Sequence, residues 1–142
     1  MNGINITLLI IISILLVVNF CNKRESFTND DDSVYVRNLK RVVESIYPDA
    51  IKMNILPGRK SMTIEKKTIY ICLKDHITKQ YYTFDVLLYV TLHEIAHVMS
   101  KSYSSHSHND EFHKNFQELL RTGRSLGYFS DNVDIPTNYC GS

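Results

Sequence analysis

Residues 83–99 read TFDVLLYVTLHEIAHVM, and this stretch decides how the rest of the chain is read. Thr83 suits a helix N-cap, Asp85 falls in the first turn where the helix dipole favours a carboxylate, and no glycine or proline interrupts Phe84 to Met99. A long helix is therefore expected here, with His-Glu-Ile-Ala-His in its second half. On such a helix His93 and His97 project from one face, their bases about 6 Å apart. That spacing lets two ring nitrogens converge on one Zn2+ at about 2.0–2.1 Å each. Glu94 stands at the edge of the same face, placed to hydrogen-bond a water on the metal rather than to ligate. The expected chemistry is hydrolysis of a peptide bond, with zinc acidifying the attacking water and Glu94 acting as general base.

Two histidines leave a third ligand to find. The spacing HExxHxxGxxH is absent, since Ser100 and Tyr103 stand where it needs glycine and histidine. His106, His108, His113, Glu111 and Glu118 all lie downstream. Asn109 or Asp110 can cap a second helix whose apolar residues Phe112, Phe116, Leu119, Leu120 and Leu126 fall at helical spacing, with Gly127 at its end. His108 is the best placed of the five, because it immediately precedes that helix and Phe112 can anchor the helix against the first. His106 belongs to a serine-rich stretch, His113 shares a face with Gln117, and the glutamates read most simply as solvated helix residues. For the oxyanion, Tyr103, Tyr128 and Tyr139 are candidates by position, and Arg121 and Arg124 by charge.

Upstream, residues 34–46 carry Val34, Leu39, Val42, Val43 and Ile46 at helical spacing, with Ser33 as a possible cap and Pro48 as the stop. Three short β-like runs follow, 51–56, 61–65 and 68–73. Pro57-Gly58 and Lys66-Lys67 stand at the turns, which suggests a small antiparallel sheet. His76 falls in a turn-like segment away from the motif. Cys21, Cys72 and Cys140 form no clustered pattern, so Cys72 reads as a buried small hydrophobe and a reducing compartment is compatible with the count.

Residues 1–22 have no charged side chain, and a helix over them would be about 33 Å long, enough to cross a hydrocarbon core. A transmembrane anchor is expected there, followed by an acidic linker over 23–33 with Asp30, Asp31 and Asp32. The domain then spans 34–142. Lys23 and Arg24 beside the span favour a cytosolic domain. A net charge of +1 supplies no basic field for nucleic acid.

The run His93-Glu94-Ile95-Ala96-His97, a short connection, then His108-Asn109-Asp110-Glu111-Phe112 resembles the SprT-like and WLM zinc metallopeptidases, which pair HExxH with a His-x-x-x-Phe segment opening the next helix. The resemblance covers about 68–127. It implies His93, His97 and His108 as zinc ligands, Glu94 as the catalytic residue and a protein or peptide substrate. The small forms of large DNA viruses are similar in a further respect, ending in a segment like Tyr139-Cys140-Gly141. Cellular members carry glycine where Asn109 stands, and DNA-binding regions with no counterpart here. The expected fold class is thus α+β: a zincin-like domain with a small antiparallel sheet, an HExxH helix and a second long helix, tethered by the N-terminal anchor.

Overall fold

The computed structural model describes residues 31–101 and 108–141. A first helix, α1, covers residues 31–46 of the described chain, so Ser33 lies inside it rather than capping it. A 3-10 turn, Pro48–Lys52, leads into strand β1, Asn54–Pro57, then β2, Met62–Ile64, and β3, Thr68–Ile71. Two longer helices follow, α2 at Phe84–Met99 and α3 at Asp110–Ser125, and a short 3-10 turn at Tyr139–Gly141 ends the described chain.

The sheet corrects the expected fold. Its order is β1-β3-β2, with β1 parallel and β2 antiparallel to β3, so it is mixed rather than antiparallel. The cause lies in how the strands are buried. Ile69 and Ile71 of β3 are fully enclosed, whereas β1 buries only Ile55 and β2 buries no residue completely. The most apolar strand takes the centre, and the two more polar ones become edges. Pro57, which has no N–H to give a ladder, is accordingly on an edge strand. Pro57-Gly58 does not fold β1 back onto β2. It carries the chain past β3, so close that a Cβ on Gly58 would stand 2.8 Å from Tyr70 Cβ. From β2 to β3 the chain does turn tightly, on Glu65 and Lys66 at φ of 51° and 52°. Lys67 N–H closes that turn on Ile64 O.

The expected membrane-spanning helix falls on residues outside those described. Among the described residues no helix is long and apolar enough to cross a membrane. The stretch assigned to the anchor, 1–22, and most of the linker lie outside the described residues.

Both long helices are capped by their own sequence. Thr83 Oγ1 accepts from Val86 N–H at the head of α2, and Asn109 Oδ1 accepts from Phe112 N–H at 2.9 Å at the head of α3. Past Ser125, Gly127 adopts φ 76°, the left-handed conformation that glycine takes without a Cβ penalty at a helix end. The core joins Leu39, Val43 and Ile46 of α1 to Ile55, Ile69 and Ile71 of the sheet and to Leu87, Leu88, Leu92 and Ile95 of α2. Phe112, Phe116, Leu119 and Leu120 of α3 close it from the far side, while Leu126 is exposed. Helix α2 therefore runs between the sheet and α3, with β2 and β3 on one side. That sandwiching gives the histidine face of α2 two walls.

A disulfide joins Cys72, just after β3, to Cys140 in the C-terminal tail, which corrects the reading of Cys72 as a plain buried hydrophobe. Spacing could not reveal it, because the two residues are 68 positions apart. The tail is fastened further by its backbone: Cys140 N–H donates to Tyr82 Oη at 3.0 Å.

Candidate metal centre

Helix α2 supplies His93 and His97 from adjacent turns of one face, and the chain entering α3 brings His108 to them from the other side. His93 Nε2 lies 3.3 Å from His97 Nε2 and 3.2 Å from His108 Nε2. Two nitrogens bound to one tetrahedral zinc at about 2.0–2.1 Å stand about 3.3 Å apart, so these separations fit the ion. They fit a chain of hydrogen bonds poorly. A neutral imidazole with Nε2 protonated has one proton there, and His93 Nε2 faces two such neighbours at once. Three imidazole nitrogens on one point are the donor set of an open zinc site, with room for a fourth ligand.

The rings are held by an apolar partner. Phe112 is almost wholly buried, and its ring centroid lies 4.9 Å from that of His93, 4.4 Å from His97 and 4.5 Å from His108. Phe116 adds an edge contact to His93 at 5.3 Å. The spacing of His108 and Phe112 thus has a direct physical reading: Asn109 caps the helix, and one turn on, Phe112 sits under all three imidazoles. Burial, followed by the charges of His97, His108 and His113, pushes His93 down to about 4. It is therefore neutral at ordinary pH, the form in which imidazole ligates a metal.

Glu94 turns from the same helix toward the sheet and is buried. Thr63 Oγ1, on the edge strand β2, donates to Glu94 Oε2 at 2.7 Å and lies 3.2 Å from the carbonyl oxygen of the same residue. Sequence reasoning missed Thr63, and no local signal marks it, because its role depends on β2 lying over α2. A cavity of about 300 Å³ opens between these elements, lined by Ser61, Met62 and Thr63 of the β2 segment and by His93, Glu94, His97 and His108.

The other third-ligand candidates go elsewhere. Glu111 accepts from Lys101 N–H at 3.0 Å, Glu118 pairs with Arg121 at 2.6 Å, and exposed His113 has its ring 6.3 Å from that of His108. His106 and Tyr103 lie outside the described residues. Of the oxyanion candidates, Arg121 is taken by Glu118 and Arg124 lies 3.4 Å from Asp131. Tyr139 is close to the site, yet its hydroxyl donates to Cys72 O at 2.8 Å and contacts Ser61 Oγ at 3.0 Å. Ser61 in turn accepts from Cys72 N–H, closing a ring of hydrogen bonds that fixes the tail to β3. Burial raises Tyr139 to about 12, so the hydroxyl stays protonated. Cys72, Cys140 and His76 also stand within ligand distance of one another. Their two sulfurs are joined to each other, and only a thiolate would ligate a metal strongly.

Comparison with known proteins finds relatives in large DNA viruses. The chain is 39% identical over 93 residues to uncharacterized protein 136R of Invertebrate iridescent virus 6, covering 64% of this chain and 51% of that one. It is 34% identical over 88 residues to uncharacterized protein 042R of Invertebrate iridescent virus 3, covering 62% and 54%. With uncharacterized protein R325 of Acanthamoeba polyphaga mimivirus the identity is 34% over 84 residues, covering 57% and 41%. The chain thus spans about half the length of the curated relatives it matches, or less. No family model and no solved structure matches it.

Proposed function

We propose that the chain is a zinc-dependent peptidase. The observation that carries this reading is the convergence of three Nε2 atoms, His93 to His97 at 3.3 Å and to His108 at 3.2 Å, beside a buried glutamate held by a hydrogen bond. Zinc held by His93, His97 and His108 would supply a Lewis acid that polarises the scissile carbonyl and makes water acidic enough to react near neutral pH. The chain's own groups account for the rest. Glu94 takes the proton from the attacking water and passes one to the leaving amine. Thr63 holds the carboxylate in place through its Oε2. A purely structural zinc site has no need of such a carboxylate.

The cleft also suits an extended peptide. Among the described residues strand β2 pairs with β3 on one side only, and its Met62 and Thr63, with Ser61 just before them, line the cleft beside the histidines. An unpaired strand edge offers main-chain donors and acceptors that a substrate backbone can use as an added strand. That recognition is independent of substrate side chains, which is what an endopeptidase requires of its main-chain grip.

Zinc content and casein cleavage measured together test the proposal. Wild type is expected to bind one zinc and cleave casein, with loss of cleavage on chelation. Glu94→Gln keeps the metal and loses the activity, whereas His108→Ala loses both. Full activity in either variant, or cleavage that survives removal of the metal, would sink it.

A further inference from the structure

A second cavity of about 300 Å³ adjoins the metal cleft, and Ser61, His93 and Glu94 line both. Beyond those three residues its walls are Tyr89 and Val90 of α2, Ile135, Tyr139 and Cys140 of the tail, and Lys60. Among the described residues Glu94 is the only carboxylate in the lining, and it is already engaged with Thr63. Tyr139 contributes its ring, since its hydroxyl is committed to Cys72 O and Ser61. The sulfur of Cys140 is in the disulfide and presents no thiol. Most of the surface is therefore apolar, and Lys60 brings a cationic group to its wall.

Resting on the peptidase reading above, we propose that this cavity is the specificity pocket of the enzyme and takes a large apolar side chain, aromatic or long aliphatic, from a residue flanking the scissile bond. Continuity with the metal cleft puts its occupant next to the reacting carbonyl. Its volume exceeds what alanine or valine would fill, and a small side chain would leave an apolar void with little to gain from water. A basic side chain would lose hydration against walls whose one carboxylate, Glu94, is already engaged, and an acidic one would find only Lys60 to offset that loss. The tail wall is built to keep its shape. The disulfide, the Cys140 N–H bond to Tyr82 and the Tyr139–Ser61–Cys72 ring all fasten it to the body of the domain.

The test is digestion of a mixed-sequence peptide library by the zinc-loaded full chain, with cleavage sites read by mass spectrometry. Expected is enrichment of Phe, Tyr, Leu and Met at one position beside the cut. Val90→Phe, which fills the pocket, should lower kcat/KM for substrates with an aromatic at that position by about 10- to 100-fold and shift the preference to small residues. Ile135→Ala, which widens the pocket from the tail side, should shift it toward the largest aromatics. Zinc content equal to wild type shows that each variant is folded at the site. Cleavage with no side-chain preference beside the cut, or a preference unmoved by both folded variants, overturns the pocket assignment and leaves the peptidase reading intact. A zinc-loaded chain that cleaves nothing in the library overturns both.

Discussion

Thr63 Oγ1 reaches Glu94 Oε2 at 2.7 Å, across the boundary between an edge strand and the histidine-bearing helix α2. The bond ties Glu94, the proposed base, to the strand proposed to grip substrate. Thr63→Val removes the donor at nearly constant volume. A hydrogen bond to a charged group is worth about 1.5–3 kcal/mol, so kcat should fall roughly 10- to 100-fold with zinc content unchanged. Thr63→Ser should restore most of it. Equal kcat in Thr63→Val and wild type would show that the contact does not position the base.

Phe112 makes a separate prediction, because one ring packs against all three proposed ligands. Phe112→Ala leaves a void beneath His93, His97 and His108, and burial this complete predicts a loss of about 3–5 kcal/mol of stability. Zinc affinity should drop about 10- to 100-fold as the imidazoles lose their fixed orientation. Phe112→Leu should recover stability better than affinity, since it refills volume without the flat face. Thermal unfolding of the metal-free protein and competition with a zinc indicator measure the two separately.

The parts of the site carried by local pattern were legible in the sequence. His93 and His97 lie on one helix, and His108 precedes the Asn109 cap that starts another, so short-range spacing with a capping rule suffices to bring them near one another. The sheet order was not legible in that way. Pro57-Gly58 reads as a hairpin turn, and only the competition among strands for the buried central position sends the chain past β3 instead. Thr63 and the Cys72–Cys140 bond are long-range consequences of that arrangement. Neither is encoded within any window that periodicity examines. The second cavity was hidden for the same reason, since its walls come from α2 and from a tail dozens of residues further on.

The disulfide predicts a dependence on reductant. Cys72 and Cys140 close a loop with a sequence separation of 68, for which chain-entropy arguments give about 4 kcal/mol of stabilisation. Under non-reducing, denaturing conditions two of the three cysteines should resist alkylation, and peptide mapping should recover the Cys72–Cys140 pair. Reduction, or the pair Cys72→Ser with Cys140→Ser, should lower Tm and free the tail wall. The side-chain preference of cleavage would then relax more than kcat falls. Identical Tm with and without reductant would contradict a bond formed in the native chain.

His93 makes the metal-free protein sensitive to acid in a defined window. Burial and the charges of neighbouring histidines hold it at about 4 against an ordinary value of 6.5. Above 6.5 it is neutral in both folded and unfolded chains and contributes no slope. Between 6.5 and 4 the unfolded chain binds a proton that the folded chain refuses, so stability falls as pH falls; below 4 both are protonated and this contribution levels off. The Tm of the chelated protein should therefore decline from pH 7 to pH 4, and His93→Gln should flatten that decline. Zinc should oppose it, because ligation requires the neutral ring and stabilises the folded state by mass action. The gap in Tm between zinc-loaded and chelated protein should be widest near neutral pH and close as protons displace the metal. A decline of the same slope in wild type and His93→Gln would place the acid-sensitive group elsewhere.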